Sequence, residues 1–266
     1  MSYLYETHLH TREASSCALA SGAEYIRSYL DRGFTGIIVT DHFYNGNSPL
    51  SGNLPWKDWV ALFCRGYEHT RQAGERQGLD VFFGWEETFD GDDYLVYGLD
   101  KTWLLEHPEV RFWNRREQFE QAGSFGGCVV QAHPFRDRYY IQEIHLSTGC
   151  VDAVEAANAG NDRNFDALAM RYAQKLGLPV TAGSDIHNTS QAAQGALFGV
   201  YLDKKMESIQ DYVQAIKTKA ITRLHIPPGR CDYQGNEDRD IAIPVDIRDA
   251  QDNSTGLSLK QFYGRG

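Results

Sequence analysis

Short apolar runs alternate with amphipathic stretches along most of the chain. Apolar residues at helical spacing predict helices near residues 22–33, 56–77, 111–122, 162–176 and 208–218. The runs with the length and composition of strands are YLYETHLH, GIIVTDH, DVFFGWEE, DYLVYGL, GGCVVQAHP, VDAVEAAN and PVTAGSDIH. Such alternation favours βαβ units and a mostly parallel sheet. The sequence therefore predicts an α/β fold, and this number of strands favours a barrel over an open sheet.

The pattern becomes polar and aperiodic towards the C-terminus. From Pro227 onward turn-forming residues dominate, and only the stretch DIAIPVDI is predicted as a short strand. We therefore predict a barrel domain over residues 1–226 and a polar extension over residues 227–266, packed on the barrel or trailing from it.

Composition and charge exclude several classes of protein. The chain has 266 residues, 42% of them hydrophobic, and a formal net charge of −10, which argues against binding to nucleic-acid polymers or anionic membranes. Neither a signal segment nor a long apolar stretch is evident, so we expect a cytoplasmic protein. The five cysteines are scattered and lack a CxxC pattern, which indicates incidental thiols. Oligomeric state is left open.

Potential metal ligands stand at the C-terminal ends of five predicted strands. They are His8 and His10, Asp41 and His42, Glu86 and Glu87, His133, and Asp185 and His187. In parallel α/β folds this edge binds ligands, and residues i and i+2 of a strand share one face. Buried together, these imidazoles and carboxylates need a cation, and zinc, iron or manganese suits both donor types. Each pattern alone is weak because most such histidines are structural, as we expect for His69, His107, His145 and His225; their joint placement indicates a metal site.

The ordered set THLHT, VTDHF, GWE, AHP and GSDIH, over about residues 5–190, resembles the PHP (polymerase and histidinol phosphatase) family. The resemblance implies a distorted seven-stranded (β/α) barrel with two or three divalent ions at its rim and hydrolysis of phosphoesters. By position, it implies one ion held by His8, His10, Glu86 and Asp185, a second bridged by Glu86 and bound by His133, and a third held by His42 and His187. Catalytic roles then fall to His8, His10, Glu86, Asp185 and His187.

Two positions depart from the family pattern. Where many members carry a ligand six residues after the second histidine, this chain has Ser16. Glu13 is the nearest acidic residue, so we expect it at the third ion, with a solvent-facing loop carboxylate as the alternative. A histidine often found on the strand after Gly-x-Glu is also missing, and Asp93 or Tyr94 stands there instead.

The expected reaction is hydrolysis of a small phosphorylated metabolite, such as histidinol phosphate or a nucleotide, by a hydroxide that bridges two ions. Arg136 is expected to bind phosphate or to pair with a neighbouring acid, and Arg12 and Arg163 are further options for the phosphate. Asn158 is expected to contact substrate or to cap the next helix. Asp41 is expected to orient a ligand from behind.

Two other functions remain open from the sequence. A related metal-dependent amidohydrolase also begins with HxH, but it usually needs a carboxylated lysine, and no lysine ends a predicted strand here. The second is a metal-binding domain without catalysis. The segment NGNSPLSGNLPWKDW is expected to shape the substrate pocket.

Overall fold

Strands and helices alternate along the chain as the hydrophobic pattern predicts. The structure is a computed structural model and describes residues 2–232 and 241–264. Its strands are β1 (Tyr3–Glu6), β2 (Gly36–Val39), β3 (Asp80–Phe89), β4 (Asp92–Tyr97), β5 (Cys128–Gln131), β6 (Ile144–Ser147), β7 (Ala153–Asn158), β8 (Val180–Gly183), β9 (Gly199–Leu202), β10 (Arg223–His225) and β11 (Val245–Arg248). Its helices are α1 (Gly22–Leu30), α2 (Trp56–Phe63), α3 (Arg65–Gln77), α4 (Lys101–Glu106), α5 (Arg115–Ser124), α6 (Arg163–Leu176), α7 (Thr189–Ala193), α8 (Ile209–Lys217) and α9 (Leu259–Gly264).

Two of the predicted helices differ from the structure at their ends. The predicted helix over 56–77 is two helices, because the chain turns at Cys64 between α2 and α3. The helix predicted from residue 111 begins at Arg115. A 3₁₀ segment over Pro108–Phe112 precedes it, and Asn114 forms a capping box with Glu117 that sets the start of α5.

Among the described residues, nine strands form one sheet in the order β10-β9-β1-β2-β3-β4-β5-β7-β8. The seven strands predicted for the barrel all lie in it. Most of their pairs are parallel, but β4 runs antiparallel to both β3 and β5. The reason is the two-residue turn Asp90-Gly91, in which both residues have positive φ and which joins β3 to β4 as a hairpin.

The sheet closes on itself where the chain continues beyond the C-terminal ends of β1 and β8. Leu9 pairs in parallel with Ile186, and the amide of His10 donates to the carbonyl of Ile186 at 3.1 Å. At the opposite end of these strands, β9 pairs antiparallel with β1 and also contacts β8. The predicted barrel is confirmed as a nearly closed, barrel-like sheet, with β9 and β10 added beside β1.

A packed interior lies beneath the C-terminal ends of the strands, which we call the rim. Tyr5, Phe82, Leu95 and Val130, each from a different strand, belong to one buried cluster, which also contains Tyr212 of α8. Because this interior is filled with apolar side chains, the barrel is a support for the rim rather than a channel.

The C-terminal extension contacts the barrel domain. The strand predicted in DIAIPVDI forms β11, which pairs in parallel with β6, although the first residue of that stretch lies outside the described residues. In α9, Leu259 and Phe262 pack in a buried cluster with Leu168 and Tyr172 of α6. The division of the chain at residue 226 stays a prediction.

None of the helices formed by the described residues has both the length and the apolar character needed to cross a lipid bilayer. The expectations of a cytoplasmic location and of no nucleic-acid polymer as partner stay predictions.

Candidate metal centre

Side chains from five strand ends converge at the rim. Local pairing explains the convergence, since His42 pairs with Glu86 as a continuation of β2 and β3, and the amide of Asp185 donates to the carbonyl of His8 at 2.8 Å. The predicted ligands that the structure brings together are His8, His10, His42, Glu86, His133, Asp185 and His187.

His8, His10 and Asp185 form the first group of facing donor atoms. The Nε2 atoms of His8 and His10 are 3.1 Å apart, and Asp185 Oδ1 lies 3.1 Å from His10 Nε2 and 3.6 Å from His8 Nε2. Glu86 Oε1 approaches His8 Nε2 at 3.1 Å. These are the residues that the PHP resemblance implies for one ion.

Glu86 and His133 form the second group with His8. His133 Nε2 lies 3.1 Å from Glu86 Oε1 and 3.8 Å from Asp93 Oδ2. Asp93 comes from β4 and accepts a hydrogen bond from Thr88 Oγ1 at 2.5 Å. Asp93 therefore lies where the sequence left open a replacement for a missing histidine.

Three imidazoles form the third group. The rings of His42 and His187 stack on His10 at centroid distances of 4.4 and 4.6 Å. The thiol of Cys17 also lies within hydrogen-bonding distance of His42 and His187. Cys17 was not predicted as a site residue, because the spacing of the cysteines along the sequence does not show their distance from the histidines.

Glu13 and Arg12 lie away from these groups. Residues 11–15 form a turn in which the amide of Ser15 donates to the carbonyl of Thr11 at 2.9 Å. This turn places Glu13 Oε1 at 3.7 Å from His69 Nδ1. Arg12, 56% exposed, pairs with Glu24 instead of reaching the cavity. Glu13 is thus away from the third group, but it is not a solvent-facing carboxylate either, since its side chain is 19% exposed and its Oε2 is buried.

The donor atoms fit divalent cations. The Nε2 atoms of His8 and His10 face each other, and the buried carboxylates of Glu86 and Asp185 lie beside them. His42 Nδ1 is buried without a well-directed hydrogen bond, although Glu86 Oε2 lies 2.9 Å away. A cation would satisfy all of these atoms at once, and imidazole with carboxylate suits zinc, manganese or iron.

Electrostatics favour the deprotonated form of the carboxylates and of His10, but not of every imidazole. Burial would lower the pKa of His8 and of His42, yet the facing carboxylates outweigh it and raise both pKa values well above the usual range. Burial alone would raise the pKa of Glu86, but the facing His8 and His42 outweigh it and hold that pKa well below its usual range. Burial likewise opposes ionisation of Asp185, yet Arg136 and His8 hold its pKa well below the usual range. Burial, together with His42, lowers the pKa of His10 to about 3. His10 is therefore neutral, as a metal ligand must be.

Two buried carboxylates hold the ligands from behind. The predicted Asp41 accepts hydrogen bonds from Thr11 and from Ser15 Oγ, which in turn contacts His10 Nδ1 at 3.1 Å. Glu155, which the sequence analysis missed, lies 3.0 Å from His8 Nδ1. Its other oxygen accepts from the amide of His133 at 3.1 Å. Such partners fix the tautomer and orientation of a ligating imidazole.

Two of the ligands adopt an unusual backbone conformation. His133 has a φ of 27° and Asp185 a φ of 51°, in the left-handed region that side chains with a Cβ rarely occupy. Strain of this kind costs roughly 1–3 kcal/mol for each residue and is concentrated at functional sites.

A cavity of about 740 Å³ opens over the groups, with His42, Glu86, Asp185 and His187 on its lining. The loop after β2, which was expected to shape the pocket, and the loop after His133 also contribute to the lining. Their lining residues include Asn45, Gly46, Asn47, Arg136, Arg138 and Tyr140. The volume suits a small metabolite.

Arg136 points into this cavity from the loop after β5. Its Nη2 donates to Asp185 Oδ2 at 2.6 Å and to Asn158 Oδ1 at 2.9 Å, and its Nε donates to Asn161 Oδ1 at 2.9 Å. Asn158 is fully buried and also donates to Glu155, so it lies behind the guanidinium rather than on the cavity surface. Neither of the two predicted roles of Asn158 describes this position, because Asp162 is the N-cap of α6.

The four remaining histidines lie outside the three groups. His145 has an acidic partner, because its Nδ1 contacts Asp92 Oδ2 at 2.6 Å. Pairing of distant strands brings these residues together, which spacing along the sequence does not reveal.

Comparisons with known proteins agree with this fold. A family model described as PHP-associated matches residues 165–219. Among solved structures, a two-domain protein of Bacteroides vulgatus that contains a predicted PHP-like metal-dependent phosphoesterase has a TM-score of 0.59 and 17% identity. The match covers 83% of this chain but 64% of the Bacteroides chain. The resemblance to the PHP family is confirmed.

Two further solved structures resemble this chain. One is a Bifidobacterium adolescentis protein, assigned by inference as a metal-dependent phosphoesterase, with a TM-score of 0.51, 14% identity and coverage of 82% of this chain and 96% of its own. PsfC from Pseudomonas syringae has a TM-score of 0.53 and 14% identity, covering 87% and 94%. At these identities the likeness establishes the fold. No curated protein matches the chain in sequence.

Proposed function

We propose that this chain is a metal-dependent phosphoesterase that hydrolyses a small phosphorylated metabolite. The arrangement of Glu86 carries the proposal. Its Oε1 faces His8 and His133, each at 3.1 Å, whereas its Oε2 faces His42 at 2.9 Å. One carboxylate thus serves two neighbouring donor groups, as a pair of adjacent ions requires.

The ligand residues would bind two or three divalent ions of zinc, manganese or iron. His8, His10, Glu86 and Asp185 would hold one ion; Glu86, His133 and Asp93 would hold a second; His42 and His187 would hold a third. When bound, such ions neutralise charge on phosphate oxygens and lower the pKa of water to about 7.

Arg136 supports a phosphorylated substrate rather than a neutral one. Its guanidinium lines the cavity and is held by Asp185, Asn158 and Asn161, so little conformational freedom is lost when it binds a phosphate. The metal-facing atoms and the guanidinium would then contact the same phosphate from two sides. A preorganised cationic site of this kind stabilises the charge that develops during phosphoryl transfer.

A substrate screen tests the proposal. Protein reconstituted with Mn²⁺ or Zn²⁺ is assayed against phosphorylated metabolites, including histidinol phosphate and nucleotides, and in parallel against amides and lactones. We expect phosphate release from at least one phosphomonoester and no amide or lactone hydrolysis. Amide hydrolysis alone would favour the amidohydrolase alternative, and metal binding without any turnover would favour a metal-binding domain. Either result contradicts the proposal.

A further inference from the structure

Cys17 occupies a fixed position beside the third group of imidazoles. It lies in the loop between β1 and α1, and it lines the cavity together with His42 and His187. The neighbouring amides are anchored on either side, since Ser16 donates to the carbonyl of Asn47 at 2.8 Å and Leu19 donates to the carbonyl of His187 at 2.7 Å. Backbone hydrogen bonds therefore set the distance between the thiol and His187.

The thiol faces donor atoms that already converge. It lies within hydrogen-bonding distance of the rings of both His42 and His187. Ring nitrogens of His10, His42 and His187 lie within 4.8 Å of one another. The thiol is thus beside this group of imidazoles, and Glu86 Oε2 lies 2.9 Å from His42 Nδ1 in the same group.

Two carboxylates face this third group, but both also belong to the other groups. Glu86 Oε2 lies 2.9 Å from His42 Nδ1, and Asp185 Oδ1 lies 3.6 Å from His187 Nδ1. An ion among these imidazoles would therefore have no carboxylate of its own. A thiolate supplies the missing charge, and mixed sulfur and nitrogen ligands favour zinc over manganese or magnesium.

We infer that Cys17 is a thiolate ligand of the third ion, which makes this position a zinc site with sulfur and nitrogen donors. The inference rests on the proposed metal sites and deepens them by assigning the metal of one. The other two groups contain imidazole and carboxylate donors, so they accept manganese or iron as readily as zinc.

Cobalt substitution tests the inference without any assay of turnover. A thiolate bound to Co²⁺ gives a charge-transfer band in the near ultraviolet, whereas imidazole and carboxylate ligands do not. We expect the band when wild-type protein is titrated with Co²⁺, and we expect it to be absent from Cys17→Ser, which also binds one ion fewer per chain. Cys17→Asp should recover that ion without the band.

Cys231→Ser is the matched control. Cys231 is half-buried, its Sγ lies 3.9 Å from the carbonyl oxygen of Ala156, and it is not on the cavity lining. This variant should keep the band and the full metal content. In a zinc titration, Cys17→Ser should need a free zinc concentration at least about tenfold higher than Cys231→Ser to bind its last ion, since losing even an outer partner of a ligand costs that much.

Two results would overturn the inference: a band that persists in Cys17→Ser, or full cobalt loading of the wild type without a band. Failure of the proposed function is a separate outcome. A protein that shows the band and hydrolyses no phosphoester retains the thiolate site but is not a phosphoesterase. Circular dichroism of each variant verifies folding, and Cys17→Asp provides the test if Cys17→Ser does not fold.

Discussion

Glu155 Oε1 lies 3.0 Å from His8 Nδ1, on the side of the imidazole opposite to the metal-facing Nε2. Both side chains are fully buried. With the proton of His8 held on Nδ1 by this contact, Nε2 presents its lone pair to the ions. A residue of β7 thus determines the tautomer of a ligand that follows β1.

Glu155→Gln tests this relationship. The amide can turn an N–H towards Nδ1, which moves the proton of His8 to Nε2 and blocks the metal-facing nitrogen. We expect metal affinity and turnover to fall by about 10–100-fold, measured by chelator competition and steady-state kinetics. The exposed Glu120→Gln, which alters only a surface pair with Arg116, should match the wild type. Unchanged metal affinity in Glu155→Gln would rule out the orienting role.

Arg136→Ala should weaken substrate binding more than it slows turnover. The guanidinium lines the cavity, and its loss removes a cation that faces the phosphate. We expect KM for a phosphomonoester to rise about tenfold, equal to about 1.4 kcal/mol, with a smaller change in kcat. Since Arg136 also pairs with Asp185, metal content is measured in the same samples. A KM equal to that of the wild type would assign phosphate binding to another residue.

Glu87 gives the metal-free protein a pH-dependent stability. Burial raises the pKa of Glu87 to about 8, although the amides of Thr88 and Asn45 donate to its Oε1. The folded state therefore keeps a proton that the unfolded state loses above about pH 4.5, so stability falls as pH rises between these two values. The slope from this group is at most about 1.4 kcal/mol per pH unit.

Glu87→Gln should remove that contribution, because a neutral amide keeps an acceptor for both backbone amides. We expect the variant to unfold at a higher temperature than the wild type at pH 8 and at nearly the same temperature at pH 4.5, with chelator present throughout. Thermal unfolding followed by circular dichroism measures the difference. Parallel pH profiles for the two proteins would show that Glu87 ionises normally in the fold.

His8→Ala should abolish turnover and lower metal content while the barrel stays folded. His8 belongs to two of the three donor groups, so its removal affects two ions at once. His69→Ala is the matched control, because that side chain is 61% exposed and faces Glu13 outside the groups. Full activity in His8→Ala would refute the ligand assignment. Reduced metal content in His69→Ala would indicate that His69 and Glu13 contribute to metal binding.

The barrel and most of the donor groups could be predicted because their signals are local in the sequence. An apolar run ending in His8 and His10 contains both the strand and the i, i+2 relation that puts two imidazoles on one face. The antiparallel direction of β4 was not predicted, although the Asp90-Gly91 turn marks it. The strands β6, β9 and β10 were not predicted either.

The residues that sequence reasoning missed act through distant pairing. Glu155 lies in the middle of β7 rather than at a strand end, and 147 positions separate it from His8. Cys17 reaches His187 because the loop after β1 hydrogen-bonds to the loop after β8. Glu13 looked suitable by spacing, but the turn at Thr11 carries it towards His69. Such placements depend on closure of the sheet, which no local pattern encodes.

Restoration of activity by metal tests the central claim most directly. Chelator-treated protein is assayed for hydrolysis of a generic aryl phosphate before and after Mn²⁺ or Zn²⁺ is added, with metal content measured by elemental analysis in the same samples. The account predicts negligible hydrolysis without metal and a return of hydrolysis as two or three ions bind per chain. Hydrolysis that persists in metal-free protein, or its absence from fully loaded protein, would contradict it.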